Sequence, residues 1–354
     1  MDRLNGFRLP DGADAALITS DVNRRYFTGM KSTAGIVVIF REEACLIIDF
    51  RYIEKAEKTV KNCTVIKQSD NLSKQLGDIF KEHGVKTVAV ESMDMTVSRL
   101  NMMKKSLPDF EFIDNDDLSR VIYEMRTVKF PDEIERITKA QRIAEEAFDK
   151  ILKFIELGKT EREISLMLDS YMLQGGAEEL SFETIVLTGA NTSMPHGIPG
   201  DTKVKNGDFV LMDFGAVVDG YHSDMTRTVC VGQPSEKMTE IYNKVLEAQQ
   251  AAISFVKAGI TGEDLDNAAR EIISSAGYGD YFGHALGHGV GMEIHEYPTV
   301  SVRSKTVLEK NMVVTVEPGI YLPGEFGVRI EDFVVVTEKS CVNLTKCPKN
   351  MIIL

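Results

Sequence analysis

The sequence predicts a chain of α/β and α+β character in two parts. An N-terminal α/β domain spans residues 1–125, and a larger domain over 131–354 uses one helix–helix–strands unit twice. Three observations predict this. Strand-like apolar runs alternate with helical stretches up to about residue 125, and Pro131 then opens a segment of different character. Beyond it, the junction Gly158, Thr160, Glu163, Ile164 returns as Gly259, Thr261, Asp264, Leu265 at a constant offset, the mark of an internal duplication. A chain of 354 residues is long enough for two separate cores.

In chain order, DAALITS, TAGIVVIF, ACLIIDF and TVAVE read as strands, with helical stretches such as NLSKQLGDIFKEHG between them. That alternation suits a partly parallel sheet. The first domain closes near VIYEMRTVKFPDE, where the apolar run gives way to charge and then to Pro131. Ile134, Ile137, Ala140, Ala144, Ala147, Phe148, Ile151 and Ile155 keep helical spacing up to Gly158. A second helix starts at the capping box Thr160–Glu163 and stops at Gly175–Gly176. Strands follow, among them FVLMDFGAVVDGYHSDMTRTVCVG over 209–232. A third helix then runs from Ser235 to Gly259 and a fourth from about Thr261 to Gly277, before further strands end the chain.

The composition excludes several classes. Hydrophobic content of 43% and charged content of 27% are ordinary for a globular enzyme. A net charge of −13 argues against nucleic acid, which needs a basic surface. The five cysteines are odd in number and lack CxxC spacing, so they read as reduced thiols and not as a disulfide or zinc framework. MDRLNGFRLPDG has no signal-peptide apolar region, and no apolar run reaches membrane-spanning length. The expected location is the cytoplasm.

The acids and histidines carry the chemistry. Asp213 and Asp224 lie in apolar strand runs around a turn; a hairpin folded about Val218 and Asp219 would set them directly opposite each other, where like charges repel. Glu317 in MVVTVEPGIY and Glu331 in FGVRIEDFVVV are two more acids in strand-like runs. Five of the six histidines fall between 196 and 295, three of them in FGHALGHGVGMEIHE. Buried carboxylates need cations, and few are near in sequence, chiefly Arg227 and Arg329. Four carboxylates and an imidazole without thiolate suit a divalent ion such as manganese, and two ions would use that many ligands to activate a water. The glycines at 283, 287, 289 and 291 miss both phosphate-loop spacings.

Taken in order, Asp213, Asp224, His288, Glu317 and Glu331 resemble the five metal ligands of the pita-bread metallopeptidases, the group of proline dipeptidase, aminopeptidase P, methionine aminopeptidase and the metal-free creatinase. The surroundings are similar too: MPHGIPGDTKVKNGDFVLMDFGAVVDGYHSDMTRT, GHALGHGVGMEIHE, VEPGIY and GVRIED. DAALITSDVNRRYFTG and LIIDFRY resemble the creatinase-like N-terminal domain of the proline-specific members, so the likeness covers nearly the whole chain.

The resemblance implies a pseudo-two-fold pita-bread catalytic domain behind a creatinase-like one. It implies two divalent ions, manganese first with cobalt or zinc as alternatives. Asp224 and Glu331 would bridge both ions, Asp213 would bind one, and His288 with Glu317 the other. A bridging hydroxide would attack the Xaa-Pro bond, with Glu317 as proton shuttle. His295 and His196 would assist at the carbonyl, His284 would line the proline side, and Arg329 would orient ligand carboxylates. His222 is expected to pack, and His83 to lie at the surface near a helix end.

The resemblance further implies a small peptide with proline second as substrate, and a homodimer as the assembly. In its shortness the chain resembles bacterial and archaeal proline dipeptidases more than the longer aminopeptidases P, so an Xaa-Pro dipeptidase is expected first. Methionine aminopeptidase, which normally lacks the first domain, a creatinase-like hydrolase and a non-catalytic scaffold are the remaining alternatives.

Overall fold

The computed structural model describes residues 3–354, and its internal packing separates Met1–Arg126 from Thr127–Leu354. In the first unit, Ala15–Ile18, Ile36–Ile39, Ala44–Ile48 and Thr87–Val90 are fully or nearly buried β-branched and aliphatic runs. They form the centre of a six-stranded mixed sheet. Ala15–Ile18 pairs antiparallel with Ile36–Ile39 but parallel with Thr87–Val90, which gives the expected α/β character. The two outermost strands, Thr64–Lys67 and Glu111–Ile113, are short and partly exposed. They add no apolar run to the sequence, which is why strand patterning passes over them.

The second unit opens on the helix Pro131–Ile151, with Pro131 in its first turn and the Glu133 carboxylate accepting from Phe130 N. This helix stops at Ile151 and does not continue to Gly158; Ile155 keeps its apolar role as a buried residue of the following turns. Helix Glu161–Gln174 follows, and the pair recurs as Glu236–Phe255 and Gly262–Ser275. Thr160–Glu163 and Thr261–Asp264 both form capping boxes, and Gly158 (φ 86°) and Gly259 (φ 91°) are both left-handed. The duplicated junction is therefore repeated in three dimensions.

The strands repeat as well. In the first half, Asp208–Phe214 lies between Ile185–Thr188 and Met225–Val231; in the second, Val313–Val316 lies between Gly287–Gly289 and Asp332–Val336, and every pairing is antiparallel. Phe148, Ile164, Leu168 and Met212 pack the first helix pair onto its sheet, and Val245, Leu265, Ile273 and Val334 pack the second. The halves meet where Thr228 Oγ1 donates to Arg329 O (3.0 Å) and Glu331 N donates to Thr226 O (3.1 Å). Arg227, fully buried, clamps the same seam through Asp332 Oδ1 (2.7 Å) and three backbone carbonyls of the opposite half and C-terminal segment. It is thus a seam cation and not a partner of the central acids.

One expectation is corrected here. Asp213 is opposite Thr226, not Asp224. The tight turn sits one position later, at Asp219 and Gly220, both with positive φ, and the ladder breaks at Gly215. There the chain packs so closely that a Cβ would come within 1.9 Å of Ser223 O. Asp224 lies one residue outside that ladder, so the two aspartates are not directly opposed within it.

Gly215→Ala is expected to force this backbone apart, costing about 1–3 kcal/mol and lowering the melting temperature by several degrees in calorimetry. An unchanged melting temperature would contradict the close approach.

Candidate metal centre

Each site residue is carried by an element whose local sequence explains its place. Asp213 is the penultimate residue of Asp208–Phe214, and Asp224 immediately precedes Met225–Val231. His288 is central in Gly287–Gly289. Glu317 follows the end of Val313–Val316 and Glu331 sits between Phe326–Arg329 and Asp332–Val336, so the two glutamates occupy breaks where the chain passes from one sheet to another, not strand interiors. A break frees a side chain from ladder alternation and lets acids from separate sheets converge.

They do converge. Asp224, His288 and Glu331 each place one donor atom within 4.8 Å of the others. His288 Nε2 lies 3.6 Å from Asp224 Oδ2 and 3.4 Å from Glu317 Oε1. Asp213 joins them through Arg329, whose Nη2 donates to Asp213 Oδ2 at 2.6 Å.

The electrostatics are those of crowded acids in a dry place. Burial, then the charges of Asp213 and Glu317, hold Asp224 well above the usual carboxylate range. Burial, then Asp224, does the same for Glu331. Burial pushes Glu317 up to about 8 against the pull of Arg329, with Asp213 adding to the rise. Burial also holds His288 below its ordinary value and so favours a neutral imidazole, the form that ligates metals. Asp213 Oδ1 and Glu331 Oε1 are buried with no hydrogen-bond partner among the described residues. Orphaned carboxylate oxygens in an acid cluster fit a hard or borderline divalent cation, which supplies both the missing charge and the missing contacts.

The remaining histidines border the same place. The His295 ring lies 4.3 Å from that of His288, edge to face, and His295 is itself exposed. Partial burial, with His288 and His196 beside it, lowers its pKa. His196 is exposed on a turn closed by Gly197 N donating to Met194 O, near enough to His284 and His295 to depress both. His284 Nε2 meets Tyr321 OH at 2.9 Å, and burial, then Arg329, brings its pKa down to about 4. His222 instead bonds Ser181 Oγ through Nδ1 (2.8 Å), and His83 stacks on Phe40 at a helix end.

Several supporting residues escape a reading of the sequence. Thr226 Oγ1 donates to Glu331 Oε2 (2.7 Å) and accepts from Arg329 Nε (3.0 Å). Thr315 Oγ1 donates to Glu317 Oε1 (3.0 Å) and accepts from His288 N (3.0 Å). Tyr321 OH accepts from Arg329 Nη1 (2.9 Å). Asp266 and Arg270, one helical turn apart, grip Leu286 N and the carbonyls of Phe282 and His284. The signal for the threonines was a two-residue step from an acid on a strand face; it becomes legible only once the acid's role is fixed.

Comparison with known proteins gives the same direction. The sequence profile of Metallopeptidase family M24 matches residues 135–338, and that of the Creatinase/Prolidase N-terminal domain matches residues 10–128. The chain is 39% identical to a protein named Xaa-Pro dipeptidase from Pyrococcus furiosus, covering 99% of each. Among solved structures it is similar to an Xaa-Pro dipeptidase from Bacillus anthracis (42% identity, TM-score 0.95, 99% of this chain and 98% of that one). It is also similar to an X-Pro aminopeptidase from Thermotoga maritima (39%, TM-score 0.93, 97% and 98%).

Two outcomes test the centre. Asp224→Asn is expected to abolish hydrolysis and to lower metal content measured by elemental analysis; normal turnover at full metal content would remove Asp224 from the ligands. In chelator, Glu317 stabilises the fold while it stays protonated, because its folded pKa of about 8 exceeds the ordinary 4.5. That contribution is complete below about pH 4.5 and lost as pH rises through 8, so the urea midpoint of the metal-free protein should fall across this window and recover on adding metal. A metal-free midpoint that rises with pH would contradict it.

Proposed function

The chain belongs to metallopeptidase family M24, and from that premise we propose that it is a metal-dependent Xaa-Pro dipeptidase, hydrolysing the bond before proline in small peptides. The observation that carries the reading is the convergence of four carboxylates and His288 with two buried carboxylate oxygens left unsatisfied. Asp224 and Glu331 would be shared by two divalent ions, Asp213 would hold one, and His288 with Glu317 the other. Manganese is the ion proposed, since oxygen donors dominate the set; cobalt and zinc are the alternatives. When bound, such ions polarise the scissile carbonyl and bring the pKa of a water towards neutrality.

The protein groups supply the rest. Glu317, buried and steadied by Thr315, takes the proton of the attacking water and returns it to the leaving nitrogen. That nitrogen belongs to proline and offers no N–H for binding before cleavage, yet like any amide nitrogen it leaves only once protonated. His295 and His196, on the exposed side of the cluster, donate to the carbonyl oxygen as it gains charge. His284, kept neutral near pH 7 and fixed by Tyr321, lines the side that receives proline. Arg329 holds Asp213 and Tyr321 in place through the reaction.

We further propose a homodimer working in the reducing cytoplasm, in keeping with five free thiols. None of the helices among the described residues is long and apolar enough to cross a membrane. A second reading, Xaa-Pro aminopeptidase on longer peptides, is favoured by the likeness to the Thermotoga maritima protein.

Gly-Pro and Ala-Pro, assayed beside an Xaa-Pro-Xaa tripeptide in EDTA and then with manganese or cobalt restored, separate the two. Metal-dependent cleavage of the dipeptides alone is expected. Cleavage of the tripeptide would move the assignment to aminopeptidase, and no cleavage of either with metal bound would overturn both.

A further inference from the structure

We propose that Glu161 is a positioning residue for catalysis, acting by fixing the loop that presents His196. Glu161 opens the helix Glu161–Gln174 and is buried, with 1% of its surface accessible. Its carboxylate receives three N–H groups, and all three come from the segment 188–200. Thr188 N donates to Oε1 at 2.8 Å, Asn191 Nδ2 to Oε1 at 2.9 Å, and Gly200 N to Oε2 at 2.9 Å. One side chain therefore ties together the start, the interior and the end of the loop. His196 sits between the last two anchors.

The loop has a second hold on the opposite side. Thr192 Oγ1 accepts from Gly327 N at 2.8 Å, and Pro195 O accepts from Arg329 Nη1 at 3.5 Å. The His196 turn is thus suspended between Glu161 and the strand that carries Arg329. Removing one support leaves the other and lets the turn swing, while the metal-ligand segments keep their own bonds.

The duplicated architecture argues that Glu161 is more than a requirement of the fold. The equivalent junction in the second half has Gly262 at this place, packed against Ser304 and Thr299 O, and that helix is capped by the same Thr–acid box. The helix can therefore begin there without a carboxylate. Three convergent N–H donors call for an anion. Glutamine at 161 would turn an N–H toward one of them and leave that donor buried and unpaired.

The proposal rests on the reading of His196 as a group that touches substrate, and the test separates the two. Glu161→Gln, Glu161→Ala, His196→Ala and the double variant Glu161→Ala/His196→Ala are assayed on Ala-Pro with manganese. Metal content, melting temperature and hydrogen exchange of the 188–200 segment are measured alongside. Glu161→Ala is expected to lower kcat/KM by about 100-fold, the scale of an ångström-sized misplacement, and Glu161→Gln by less. Both should speed exchange in the loop and retain full metal content. The double variant should be no worse than His196→Ala alone, a non-additivity that a purely structural role would not produce.

Losses that multiply in the double variant would overturn the proposal, as would an impaired His196→Ala beside a normal Glu161→Ala. If Glu161→Ala does not fold, the near-isosteric Glu161→Gln carries the test, and wild-type exchange and kcat/KM there would overturn it. A normal kcat/KM for His196→Ala would sink the role of His196 itself, and the proposal with it.

Discussion

Everything in the second unit answers to one constraint: several carboxylates share a space from which water is largely withdrawn. Asp224, Glu317 and Glu331 all resist ionisation there, chiefly because they are buried and then because they face one another's charge. Among the described residues Arg329 is the permanent cation built into the cluster, and it is committed to Asp213, Tyr321 and Thr226. Such an arrangement suits a divalent cation, whose charge would offset the charge these acids resist carrying. The fold carries electrostatic strain that divalent ions relieve, so binding energy and catalytic chemistry have one origin.

Much of this was legible in the sequence because its signals are local. A capping box needs two residues three apart, and both boxes stand where Thr160 and Thr261 announce them. The acids and histidines declare themselves because charge in an apolar run has few bland explanations. What stayed hidden depends on distance in sequence. The register of the hairpin turns on a one-position shift of its tight turn and on the break at Gly215, which follows from the nearness of Ser223. Thr226, Tyr321 and Arg270 are ordinary strand and helix residues until their partners, between 14 and 105 positions away, arrive beside them. The short edge strands Thr64–Lys67 and Glu111–Ile113 are held by pairing with a neighbour rather than by their own apolarity.

The duplication explains both the symmetry of the acids and the asymmetry of the rest. Each half contributes one acid near the end of a strand and another just after the next hairpin: Asp213 and Asp224, then Glu317 and Glu331. His288 breaks the pattern: among the described residues, the histidine that joins these acids comes from the second half. The same helix pair serves both halves, yet its first turn carries the loop-gripping Glu161 in one and Gly262 in the other, while Asp266 with Arg270 grips the His284 segment only in the second. Two copies of one unit have kept their shared scaffold and diverged in what their helices hold.

The crowded acids have a consequence for how metal arrives. Asp224, Glu317 and Glu331 hold their protons above the ordinary carboxylate range, so the metal-free cluster carries less charge than its four acids suggest. Divalent ions bound there as proposed have to displace those protons. Loading is then an exchange of protons for metal, and a more acid medium empties the centre by refilling its carboxyls.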